Sequence, residues 1–219
     1  SQPEGNFSEN FHFSRLLFCI HSLGLRRSGL TLEMLQSAGA KKAVILGSMC
    51  AISYLAVYIV RNILGTVTPQ MIESGSFTTE QIGTLSSVYF ITYAVGQLIN
   101  GMIGDKIKAK YMIGFGLILA GMCNLIFSFT YKTPTIAFIA YAAMGFCLSM
   151  IYGPMTRLIA ENVELVYATR CSVGYNFASF FGSPMAGILA MFLSWQRVFN
   201  VGSCLLLIMG VVVLTVFTN

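Results

Sequence analysis

The chain has 219 residues, of which 56% are hydrophobic and only 10% charged, with a formal net charge of +5. Soluble domains carry roughly 25% charged residues, so this composition excludes an ordinary water-soluble fold. A nucleic-acid role is excluded as well: the basic residues form no cluster interleaved with exposed aromatics, and no basic helix stands free of the apolar segments.

Residues 1–40 are mixed polar and aromatic. Their short apolar patch, Leu16-Leu17-Phe18-Cys19-Ile20, is flanked by Arg15 and by Arg26-Arg27. It is too short to cross a bilayer, and no small-residue cleavage site follows it. The segment reads as a cytoplasmic tail, either interfacial and amphipathic or disordered, and Met34 is a candidate start. From residue 41 to 219 the pattern becomes regular.

Apolar runs predict membrane-spanning helices over 44–68, 82–104, 111–130, 135–158, 168–193 and 197–217. Turn signals separate them: Gly75-Ser76 lies between the first two, Lys132-Thr133-Pro134 between the third and fourth, and Ser194-Trp195-Gln196-Arg197 between the last two. The fold class is therefore all-α membrane protein with six transmembrane helices. The spans are rich in glycine, including Gly114, Gly116, Gly121, Gly145, Gly174, Gly182 and Gly187, which lets membrane helices approach closely. Cysteines lack CxxC spacing, and five of the six sit in or at the ends of apolar runs as small hydrophobes.

Loop charge sets the orientation. One side holds Arg15, Arg26, Arg27, Lys41, Lys42, Lys106, Lys108, Lys110, Arg157 and Arg170; the other holds Lys132 and Arg197. Ten against two places both termini in the cytoplasm, in a plasma or inner membrane.

Several polar stripes could carry chemistry. In the first span Tyr54, Tyr58 and Arg61 share one helical face. An Arg near the centre of a span costs roughly 2.5–3.5 kcal/mol on insertion scales, so it needs protein, water or a counter-ion. No acidic residue lies inside any span away from its ends. A bound anion would fill that place; the competing account is an Arg61 that snorkels to the outer interface. The second span repeats the pattern with Tyr89, Tyr93, Gln97 and Asn100. The fifth offers Tyr175, Asn176, Ser179 and Ser183, with Pro184 breaking its hydrogen-bond ladder, and the fourth offers Tyr152 before Gly153-Pro154. Each stripe alone suits interhelical hydrogen bonding; together with an unpaired arginine they point to a polar cavity.

Between the second and third spans runs Gly101-x-x-Gly104-Asp105-Lys106-x-x-x-Lys110. Asp105 can cap the helix or pair with Lys106, Lys110 or Arg157, and the lysines also set topology. This motif resembles the signature of the major facilitator superfamily between its second and third helices, departing from it at Lys108 and Ala109. Tyr58-Ile-Val-Arg61-Asn62, Tyr93-Ala-Val-Gly96 and Gly153-Pro154-x-x-Arg157 add to the resemblance, which covers residues 42–217 and is most similar to the organophosphate/phosphate antiporter branch.

The resemblance implies the N-terminal six-helix bundle of a transporter, built as two inverted three-helix repeats. It also implies a second six-helix half as partner, with the site between the halves. Arg61 would match the family's phosphate-binding arginine, and Tyr54 and Tyr58 its neighbouring tyrosines. Tyr93, Gln97, Tyr175 and Asn176 would complete the substrate wall, and Asp105, Lys106, Lys110 and Arg157 would form a cytoplasmic gate. Gln97 and Tyr175 stand where glycerol-phosphate carriers have lysine and histidine, which leaves a less highly charged anion open. The expected function is secondary transport of a small anionic organic solute, phosphorylated or not, by alternating access, or a non-transporting half-unit that works with a partner chain. No cofactor or metal is expected. Enzyme chemistry lacks its residues: the histidines, His12 and His21, precede the first span, so Ser–His and HExxH sites are missing.

Overall fold

The computed structural model describes residues 7–104 and 106–216, with backbone alone for residues 7–38. Asp105 lies outside the described residues. The chain divides into two units at Lys42/Ala43, and the bundle described below is the second.

Seven helices follow one another: α1 (Phe7–Glu73), α2 (Thr79–Gly104), α3 (Ala109–Thr130), α4 (Pro134–Asn162), α5 (Leu165–Ser179), α6 (Gly182–Phe192) and α7 (Trp195–Val216). Five of them, with α1 counted from Gly39, are long and apolar enough to cross a membrane individually. The fifth expected span is divided. α5 and α6 together occupy the expected fifth run and are separated by a break at Phe180-Phe181. Pro184 has no N–H to offer the carbonyl of Phe180 four residues back, so the ladder fails there. Pro154 has the same defect, yet α4 continues through it, packed on both sides by α2 and α3.

Local sequence sets the other boundaries. Thr78 and Gln81 form a reciprocal capping box at the start of α2: the Gln81 N–H donates to Thr78 Oγ1 at 3.2 Å, and the Thr78 N–H donates to Gln81 Oε1 at 2.9 Å. The α1–α2 turn passes through Gly75, whose φ of 66° is left-handed and suits glycine. Pro134 opens α4 at the first turn, where its missing N–H costs nothing.

Among helices α2 to α7 the main packing pairs are α3 with α4, α3 with α7 and α2 with α4. At Gly145 of α4 a Cβ would sit 2.8 Å from the carbonyl oxygen of Tyr89 on α2, and at Gly210 of α7 one would sit 3.0 Å from that of Gly114 on α3. Backbones that close gain dispersion contact where lipid offers no hydrophobic driving force between helices. The buried centre is apolar with a few paired polar groups. Asn124, fully buried on α3, donates to the carbonyl of Phe199 and to Ser203 Oγ on α7, each at 3.0 Å. Asn100 on α2 donates to Ser149 Oγ on α4 at 2.7 Å.

Not every helix is equally enclosed. α5 buries only Tyr175 and exposes Val173 and Phe177, with Phe180 exposed just past its end, and α2 exposes Phe90, Ile91, Val95 and Leu98.

Candidate functional site

The polar stripes of α1 and α2 meet. Arg61 is partly buried, and its Cζ lies 5.6 Å from the ring centre of Tyr58, 5.7 Å from that of Phe90 and 5.0 Å from that of Tyr93. Ring faces carry negative charge density, so three rings stabilise the cation without neutralising it. Among the described residues no carboxylate pairs with Arg61. Its guanidinium therefore leans on the protein's aromatic wall, one turn back over Tyr58, as helical side chains tilt.

Tyr93 is fixed from the other side, because Gln97 Nε2 donates to its hydroxyl at 3.0 Å one turn further along α2. Tyr89 stacks behind Tyr93 at 6.1 Å, its hydroxyl buried with no hydrogen-bond partner among the described residues.

A second group of rings adjoins Tyr58. Tyr54 lies 4.9 Å from Tyr58 and donates to its hydroxyl at 3.4 Å. The Tyr54 ring also touches Tyr152 of α4 at 5.7 Å and Tyr175 of α5 at 5.3 Å, and Tyr152 and Tyr175 are 6.3 Å apart. Four tyrosines from three helices thus converge. Gly182 makes room for the adjoining α1 backbone: a Cβ there would lie 2.6 Å from Tyr58 Cβ.

Of the residues singled out in sequence, the structure brings together Arg61, Tyr58, Tyr54, Tyr93, Gln97 and Tyr175. Asn176 does not join them: it is exposed and its Nδ2 donates back to Ser172 O at 2.8 Å on its own helix. One residue that the stripes did not single out enters the site, Phe90, and Tyr152, offered by the fourth span but not placed in the expected substrate wall, joins the tyrosines. Phe90 stands three residues before Tyr93, hence on the same face of α2, a spacing that marks it once apolar rings are admitted to a cation's surroundings.

At the far end of α2 lies the second constellation. Arg157 of α4 donates through Nη1 to the carbonyl of Gly104, the last residue of α2, and through Nε to Glu161 at 2.7 Å. The guanidinium thus satisfies an orphan helix-end carbonyl across an interhelical contact. Lys106 is exposed, and Lys110 sits with Nζ 5.1 Å from its neighbour Tyr111's ring. Asp105 is outside the described residues, so its pairing is too. Between the two constellations a cavity of about 170 Å³ lies between α2 and α4, lined by Gln97 and Asn100 on one helix and Gly153 and Arg157 on the other.

Comparison with known proteins agrees with this architecture. The profile of the Major Facilitator Superfamily matches residues 50–219. The chain belongs to that superfamily. Its relatives match an organophosphate antiporter-like branch of that superfamily. It is similar to the membrane sensor protein UhpC of Escherichia coli, 23% identical over 168 residues, covering 73% of this chain and 37% of the relative. The glycerol-3-phosphate transporter of Bacillus subtilis is 26% identical over 156 residues, 68% of this chain and 35% of that protein. The phosphoglycerate transporter protein of Salmonella typhimurium is 29% identical over 175 residues, 74% of this chain and 37% of that protein. The chain spans little more than a third of the length of these relatives. It is an integral multi-pass membrane protein of a transporter superfamily.

Proposed function

We propose that the protein, or the larger assembly to which this bundle belongs, is a secondary transporter that moves a small phosphorylated organic anion by alternating access. The observation that carries the reading is Arg61, a guanidinium within the apolar span whose neighbours are three rings and no described carboxylate. A cation so placed gains most from a ligand that brings the opposite charge, and guanidinium matches a phosphate's oxygens bidentately. Relatives named for glycerol 3-phosphate and phosphoglycerate transport support a phosphorylated substrate.

Tyr54, Tyr58, Tyr93, Gln97 and Tyr175 shape the remainder of the site, directly or by holding the rings that do. The apolar residues that α5 and α2 expose, Phe177 and Leu98 among them, face a second six-helix half. Arg157, with Asp105, Lys106 and Lys110, closes the cytoplasmic end by tying α2 to α4 when the site faces outward. Both termini of the bundle are cytoplasmic, on the loop-charge bias.

The test is exchange of labelled inorganic phosphate across proteoliposomes that hold the protein as the cell produces it. Exchange that depends on Arg61 supports the reading; unimpaired exchange in Arg61→Ala removes it. A second reading, a half-unit or sensor that binds the anion without moving it, is favoured by the likeness to a membrane sensor protein. Saturable phosphate binding with no flux would select it.

A further inference from the structure

Tyr89 stands at the aromatic wall of Arg61 with a hydroxyl that no described protein group pairs with. Its ring meets the two α2 rings that hold the cation, Phe90 edge-on at 5.3 Å and Tyr93 stacked at 6.1 Å. From α4, Tyr141 packs against it at 5.5 Å, and a Cβ at Gly145 would come within 3.0 Å of its Cδ2. The ring is thus held by both helices, with little freedom to carry its hydroxyl elsewhere.

Tyr89 is only 3% exposed, and among the described residues its hydroxyl has no hydrogen-bond partner. Buried polar groups are nearly always paired, because an enclosed donor without an acceptor costs stability. Phenylalanine would fill the same space without that cost. The hydroxyl lies within electrostatic range of the Arg61 guanidinium and of the Tyr58 and Tyr93 hydroxyls. Both of those hydroxyls already have donors, Tyr54 for Tyr58 and Gln97 for Tyr93. An anion at Arg61 supplies the missing acceptor. The guanidinium fork takes two oxygens of a phosphate and leaves further lone pairs to fill. A donor fixed in place beforehand gives up little entropy in filling one.

Resting on the phosphate reading, we infer that Tyr89 is a further anion-binding residue, whose buried hydroxyl donates to the phosphate held at Arg61. Arg61 from α1 and Tyr89 from α2 then serve one ligand, the first with charge and the second with a neutral donor.

Equilibrium binding of labelled inorganic phosphate to purified wild-type and Tyr89→Phe protein tests this, with thermal unfolding of both in the same detergent. Tyr89→Phe removes one oxygen and keeps the ring contacts. Its phosphate affinity should fall at least about tenfold, the share of a hydrogen bond to a charged group. Its unfolding midpoint, measured without phosphate, should stay the same or rise, since no pairing inside the protein is lost. An affinity within about twofold of wild type overturns the inference. So does a lower midpoint, the mark of a hydroxyl paired within the fold. Failure of the phosphate reading itself shows differently, as wild-type protein that binds no inorganic phosphate.

Discussion

The guanidinium of Arg61 on α1 lies 5.0 Å from the centre of the Tyr93 ring on α2, and the Tyr93 hydroxyl accepts a hydrogen bond from Gln97. The cation is thus positioned by a ring that a second side chain holds in place. The contact joins α1 to α2, whose outer face the bundle leaves exposed at Ile91, Val95 and Leu98.

This arrangement makes charge and shape separable. Arg61→Lys keeps the charge but loses the planar fork, whereas Arg61→Ala loses both. Arg61→Ala is expected to weaken phosphate binding by at least about 2 kcal/mol, roughly thirtyfold, and Arg61→Lys by less. Equilibrium binding of labelled phosphate in detergent measures both.

Gln97→Leu removes the hydrogen bond to Tyr93 and no charge. It should weaken phosphate binding by about 1 kcal/mol and leave thermal stability within about 0.5 kcal/mol. A change confined to stability would show that the Gln97–Tyr93 contact has no bearing on the anion.

The contacts of Arg157 with Glu161 and with the Gly104 carbonyl are of unequal value. Its pair with Glu161 is exposed and follows i,i+4 spacing, so Glu161→Gln should change stability by less than about 0.5 kcal/mol. Arg157→Ala also strips the Gly104 carbonyl of its donor, and the ends of α2 and α4 should loosen. A Gly101→Cys reporter, placed where a Cβ meets nothing within 4 Å, should react faster with a thiosulfonate reagent in Arg157→Ala than in the parent. Equal rates would separate Arg157 from the proposed closure.

Gly182→Ala places a methyl against the Tyr58 backbone, where the carbonyl carbon would be 2.8 Å away, and should cost about 1–3 kcal/mol in stability. Gly187→Ala, with open space around it, is the matched control on the same helix. Thermal unfolding in detergent should separate them by several degrees, with the Gly182 variant lower.

Asn124 joins α3 to α7 through two hydrogen bonds. Interhelical bonds of this kind in membranes contribute about 0.6 kcal/mol on average and up to about 1.7. A double-mutant cycle between Asn124→Ala and Ser203→Ala should give a coupling in that range. A value near zero would leave the pair as geometry without energy.

How much of this was legible in the chain itself varies by element. The expected spans 82–104, 111–130, 135–158 and 197–217 fall on α2, α3, α4 and α7 with ends shifted by a few residues, because a run of apolar residues long enough for the bilayer declares itself locally. Pro184 likewise announced a break in the fifth span, since a missing N–H is a covalent fact. The fourth span shows the boundary of that logic: Pro154 carries the same defect, and only its packing between α2 and α3 keeps α4 continuous.

The candidate site divides in the same way. Composition and spacing by themselves determined that Arg61 shares a face with Tyr54 and Tyr58 and that the spans hold no interior carboxylate to neutralise it. Only the tertiary structure decided that Phe90 and Tyr93 close around that cation, that Tyr152 joins the tyrosine cluster, and that Asn176 turns back to its own helix. Helical periodicity fixes which residues share a face, but the rotation of one helix against another depends on packing from distant parts of the chain. No local pattern records that rotation.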